Sequence, residues 1–99
     1  MVDPRIPELA SQLVNYSTRV KAGDHVLIDC YDVPAEVPIS LIRAVRAAGG
    51  FPHVQLHDAK VSRALNLESE EERLDQVAGH LLSQMEAMQA YIAVRGSEN

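Results

Sequence analysis

The sequence predicts an α/β fold: a three-layer open sheet of about three parallel strands with helices on both faces, preceded by an amino-terminal helix, half of a Rossmann-like doubly wound fold. Three observations carry this. Strand-length apolar runs at 25–31, 51–57 and 90–94 are separated by stretches with helical spacing, and such alternation implies parallel pairing through right-handed crossovers. The first run is almost continuously apolar, as suits a central strand covered on both faces. A length of 99 residues supports one domain with its own core, so 1–99 reads as a single α/β domain.

Taken in order, Asp3-Pro4 is a helix-start pairing, and Ile6, Leu9, Ala10, Leu13, Val14 and Val20 recur with helical spacing, so one amphipathic helix is expected from Asp3 to Val20. Lys21-Ala22-Gly23-Asp24 turns into the strand His25–Tyr31. Pro34 and Pro38 bracket a short loop, and Ile39, Leu41, Ile42, Val45 and Ala48 form a second helix with Arg43 and Arg46 on its wet side. Gly49-Gly50 stops it, because glycine accepts the left-handed conformation a helix end requires. Phe51–His57 is a strand with Val54 and Leu56 on one face and His53, Gln55 and His57 on a more polar one. Residues 58–67 are expected to be a loop with a short helical turn. The acids of Glu68-Ser69-Glu70-Glu71-Glu72 then favour the positive end of a helix dipole. Leu74, Val77, Ala78, Leu81, Leu82, Met85 and Met88 make that helix's apolar stripe, expected to be core, and Ala90–Val94 is the third strand.

Composition excludes several classes. A hydrophobic fraction of 46% with 23% charged residues is that of an ordinary globular chain. No apolar run reaches the about 20 residues of a membrane helix. The acid early in Met1-Val2-Asp3-Pro4-Arg5 does not match a secretion signal, so no membrane association and a cytoplasmic location are expected. A net charge of -5 with nine scattered Lys and Arg argues against nucleic acid. The single cysteine, Cys30, allows no internal disulfide or Cys-based zinc site, and its apolar strand suits an inert buried thiol.

The residue pattern carries few signs of chemistry. Neither H-E-x-x-H nor another compact metal-ligand spacing is present. His53 and His57 lie four apart on a strand, about 13 Å, too far to share an ion. His25 and His80 have no evident partner and read as structural or solvated. The turn Asp32-Val33-Pro34-Ala35-Glu36 after the first strand lacks glycine and carries two acids, which removes the nucleotide-phosphate reading the fold alone would suggest. Ligands in open α/β sheets gather beyond the carboxyl ends of the strands. There Asp32, Asp58 and Glu98 could share one edge and hold an amine or cation, or be solvated loop acids. Arg95-Gly96-Ser97-Glu98-Asn99 leaves the third strand at the same edge.

Leu13-Val14-Asn15-Tyr16-Ser17, Val20 to Ile28, Ala47 to Val54 and Ala90 to Asn99 together resemble the amino-terminal domain of the thermophilic-type metalloaminopeptidases, the aminopeptidase T and aminopeptidase S (leucyl aminopeptidase-like) family. The resemblance covers nearly the whole chain, in order. It implies an exopeptidase that removes amino-terminal residues from peptides with two divalent ions, zinc or cobalt, and that forms homodimers. It also implies that the metal ligands lie in a carboxyl-terminal catalytic domain, so no catalytic or metal residue and no cofactor falls in this chain. On that expectation the sequence is the amino-terminal, non-catalytic part of a longer enzyme, a scaffold and cleft wall inactive by itself. Its partners are the catalytic domain, peptide substrate and a second copy. Arg95, Ser97, Glu98, Asn99 and Asp32 are the candidate substrate-cleft residues. The alternative is a stand-alone α/β binding or self-association module using an open sheet edge.

Overall fold

A computed structural model describes residues 3–67 and 70–96. The order is α1 (Arg5–Gln12), β1 (His25–Tyr31), α2 (Glu36–Ala47), β2 (Phe51–His57), α3 (Ala59–Leu67), α4 (Glu71–Glu86) and β3 (Ala90–Arg95). The three strands form one all-parallel open sheet in the order β2-β1-β3. The fold is α/β and Rossmann-like in character, as the alternation predicts. Because β1 is central, the chain steps one way to β2 and back across β1 to β3, and with the usual right-handed connection of parallel strands this puts the two crossovers on opposite faces of the sheet.

One face holds the core. Val26, Ile28 and Cys30 of β1 and Ile92 of β3 pack with Ala10, Val14, Val20, Leu41 and Val45 from the amino-terminal and α2 segments, each at most 9% exposed. Strand parity explains the set, since alternate residues of β1 project to the same side. Pro52 is accommodated because β2 is an edge strand.

Four expectations are corrected. The amino-terminal helix does not run to Val20: regular turns stop at Gln12 and a wider π-helical turn spans Leu13–Ser17. There the Thr18 hydroxyl donates to the Leu13 carbonyl at 2.8 Å, and Arg19 at φ 51° turns the chain away. The second helix starts at Glu36 rather than Ile39, with Pro38 in its first turn, where no intrahelical N–H is needed. Residues 59–67 form a nine-residue helix instead of a loop, because Asp58 Oδ1 accepts the amides of Lys60 (2.8 Å) and Val61 (3.2 Å) and so caps it.

The fourth correction is the largest. The α4 stripe is not core: Leu74, Val77, Leu81, Leu82 and Met85 are 37–61% exposed. The acids Glu71 and Glu72 do open α4, whereas Glu68 and Ser69 lie outside the described residues. This helix meets the polar side of β2 through a side-chain hydrogen bond in which Gln55 Nε2 donates to Gln84 Oε1 at 2.8 Å. Helices therefore occur on both faces, but only the α1/α2 side is densely packed.

Candidate functional site

The less covered face of the sheet carries the polar chemistry. Parallel pairing places Leu27 beside His53 and Tyr91, Asp29 beside Gln55 and Ala93, and Tyr31 beside His57 and Arg95, all in the same strand phase. The expectation of a central β1 covered on both faces holds, since Val26 to Cys30 are all buried, but the second face is partly polar: Val26, Ile28 and Cys30 meet the core, while Leu27, Asp29 and Tyr31 line the other side.

Asp29 is the centre of this face. It is 9% exposed, and its two carboxylate oxygens take different partners: Oδ1 is hydrogen-bonded to His57 Nε2, and Oδ2 accepts the Tyr91 hydroxyl at 2.7 Å. A buried carboxylate is costly unless its oxygens are satisfied, and both are. The bond to Asp29 pushes the Tyr91 phenol up to about 12, with partial burial adding to the shift. His57 also stacks on Tyr31, centroids 4.3 Å apart and planes 18° apart, and the Arg95 guanidinium lies 4.8 Å over the same Tyr31 ring. One row across the carboxyl end of the sheet is therefore imidazole, phenol and guanidinium.

At the opposite end, His25 Nδ1 and His53 Nε2 share a hydrogen bond of 2.9 Å, and His25 stacks on Phe51. His25 thus has a partner, contrary to the sequence reading. His53 and His57 engage different groups, as their spacing on the strand requires. Cys30 faces the core, where burial, followed by the charge of Asp29, pushes its thiol up and keeps it protonated.

The candidate cleft residues divide as follows. Arg95 and Asp32 both lie at the carboxyl edge, Arg95 on Tyr31 and Asp32 in the turn after β1. Ser97, Glu98 and Asn99 lie outside the described residues. Asp32 adopts φ 54° and its Oδ1 accepts the Ala59 amide at 3.2 Å, so its carboxylate helps to hold the start of α3. Together with Asp58, Cys30, Pro38 and His57 it lines a hollow of about 420 Å³. Asp32 and Asp58 do share an edge; Glu98 is outside the description. Among the described residues no group of three or more His, Cys, Asp or Glu side chains is placed to hold a metal ion, so the described residues do not fit a two-metal centre.

Gly96 closes this edge. Its amide donates to the Tyr31 carbonyl at 2.7 Å, and a Cβ there would stand 2.0 Å from the Asp32 carbonyl oxygen. Only glycine permits that approach.

Sequence reading found the polar phase of β2 but missed Asp29, Tyr31 and Tyr91. The signal was present: aligning β1 with β2 in parallel register puts residues 25, 29 and 31 opposite 51, 55 and 57. No known family model matches this chain, and no curated protein matches it. No helix among the described residues is long and apolar enough to cross a membrane.

Proposed function

We propose that this chain is the amino-terminal domain of a metal-dependent aminopeptidase of the aminopeptidase T and aminopeptidase S type, acting in the cytoplasm as scaffold and cleft wall. The supporting observation is the unfinished second layer. Leu81 and Leu82 of α4 are 51% and 61% exposed, an apolar surface suited to burial against further protein. On this reading the peptide passes along the carboxyl edge near Asp32 and Arg95. The two divalent ions, zinc or cobalt, are held by a carboxyl-terminal domain, and no step of the hydrolysis is assigned to residues of this chain. A homodimer accords with the same exposed surface.

The test is to express the complete reading frame that encodes this sequence and follow hydrolysis of leucyl peptides with added zinc or cobalt. Turnover by the complete product that a chelator abolishes, with none from the 99-residue chain, is the expected result. Absence of turnover from the complete product sinks the proposal. A second reading, a stand-alone self-association module, is favoured by the outer edges of β2 and β3, which pair with no other strand among the described residues. Sedimentation showing a discrete oligomer of the chain alone, without peptidase activity in any longer product, would select it.

A further inference from the structure

We propose that His57, held by Asp29, is a general base acting on a small uncharged carbonyl compound bound between β2 and α4. The aminopeptidase reading assigns the domain no chemistry of its own, and the cleft is that of the 99-residue chain, in which Leu81 stays exposed.

Asp29 is fixed on the central strand, nearly buried, with Oδ2 occupied by the Tyr91 hydroxyl and Oδ1 by His57 Nε2. A carboxylate bonded to one ring nitrogen sets the tautomer: neutral His57 keeps its proton on Nε2 and its lone pair on Nδ1. Stacking on Tyr31 fixes the plane of the ring. His57 Nδ1 has no hydrogen-bond partner among the described residues, and the side chain keeps 29% of its surface accessible. A base oriented by a third group and left open to solvent is the arrangement proton transfer requires.

The place and lining of the cleft name the ligand class. His57 ends β2 at the carboxyl edge, where open α/β sheets bind ligands. It lines a cleft of about 530 Å³ with Gln55, Val77, His80, Leu81 and Gln84, a volume within the range of small-molecule sites. No Lys or Arg lines that cleft, and the Asp29 carboxylate lies beside it, so a phosphate or carboxylate ligand gains no fixed countercharge. Val77 and Leu81 offer apolar contact, and with Gln55 Nε2 bonded to Gln84 Oε1, the Gln84 amide N–H is the group positioned to donate to a carbonyl oxygen. With an ester as ligand, water attacks the carbonyl carbon while His57 Nδ1 takes the water proton. The ester C–O bond then breaks, and the imidazolium returns that proton to the departing alcohol. Water and ester give acid and alcohol, and the base is regenerated.

The test uses the folded 99-residue chain and p-nitrophenyl acetate as the probe. A general base contributes about a hundredfold or more, so His57→Gln should lower protein-catalysed nitrophenol release at least about tenfold. Asp29→Asn should also lower it and alter its pH profile, because the amide no longer fixes the tautomer. The double variant His25→Gln, His53→Gln should stay within about twofold of the wild type, since those imidazoles lie at the other end of the sheet. Unchanged release in His57→Gln, or an unchanged profile in Asp29→Asn, overturns the proposal. If either variant loses its far-UV circular dichroism, nitrogen NMR of the wild-type imidazoles decides. A neutral His57 protonated on Nε2 whose signals shift with added phenyl acetate supports the proposal, and one protonated on Nδ1, or unmoved by the ester, overturns it.

Discussion

Asp29 shows how one side chain sets the character of a whole sheet face. On the core side its neighbours Ile28 and Cys30 are 0% and 1% exposed, so the strand is as apolar there as its sequence suggests. On the other side the carboxylate gathers a histidine from β2 and a tyrosine from β3, tying three strands together through side chains. The Tyr91 phenol provides a test. Its pKa is raised in the folded chain to about 12, because ionisation would set a phenolate against the Asp29 carboxylate and break their hydrogen bond. A raised value favours the protonated form in the fold. The contribution is therefore fully present below the ordinary phenol value of about 10 and is lost as pH rises through about 12. Ultraviolet titration should show Tyr91 ionising late, and Asp29→Asn should bring it back toward about 10. A late tyrosine that ignores the substitution would contradict the assignment.

At the scale of elements, the alternation of strands and helices was legible because β1 and β3 are short apolar runs and β2 alternates apolar and polar residues between Gly50 and Asp58. The three strands and the α2 core residues Leu41 and Val45 lie where periodicity places them. What was not legible depended on contacts distant in sequence or on local capping. The helix at 59–67 depends on the Asp58 cap, and the break after Gln12 depends on the Thr18 hydroxyl competing for helix carbonyls. The polar site was half legible, since His57 was visible on the polar phase of β2 but its partner Asp29 sits in a run that reads as apolar. Gly96 belongs here too: nothing in Arg95-Gly96 announces that its backbone must pass against the turn after β1. Gly96→Ala places a methyl 2.0 Å from the Asp32 carbonyl oxygen, a backbone atom that cannot move without displacing the turn at Asp32. Overpacking of this kind costs about 2 kcal/mol. The urea midpoint should fall accordingly, and residue 96 should lose the amide protection conferred by the Tyr31 carbonyl.

The whole molecule is unevenly built, with one dense layer and one thin one. Beneath α1 and α2 the core is closed: Val14, Val26 and Val45 are 0% exposed and Leu41 is 1% exposed. Over the other face α4 exposes the apolar residues that its sequence pattern marks for burial, and it buries none of its residues. A helix gains most of its stability from packing of an apolar face, so α4 should open at far lower free energy than β1 or α2. Amide exchange should show this order, with α4 exchanging fast while the amides of Val26, Ile28 and Val45 approach the global limit. Truncation should separate the layers in the same way. Leu41→Ala removes a fully buried side chain and should cost about 3 kcal/mol, with a matching fall in the denaturation midpoint. Leu81→Gln changes a side chain 51% exposed and should move the midpoint by no more than about 0.5 kcal/mol in the isolated chain. The same Leu81→Gln change should destabilise the complete product by about 2 kcal/mol if further protein covers α4 there. Equal, small effects in both would mean that α4 stays uncovered, and would remove the main support for reading this chain as one domain of a larger enzyme.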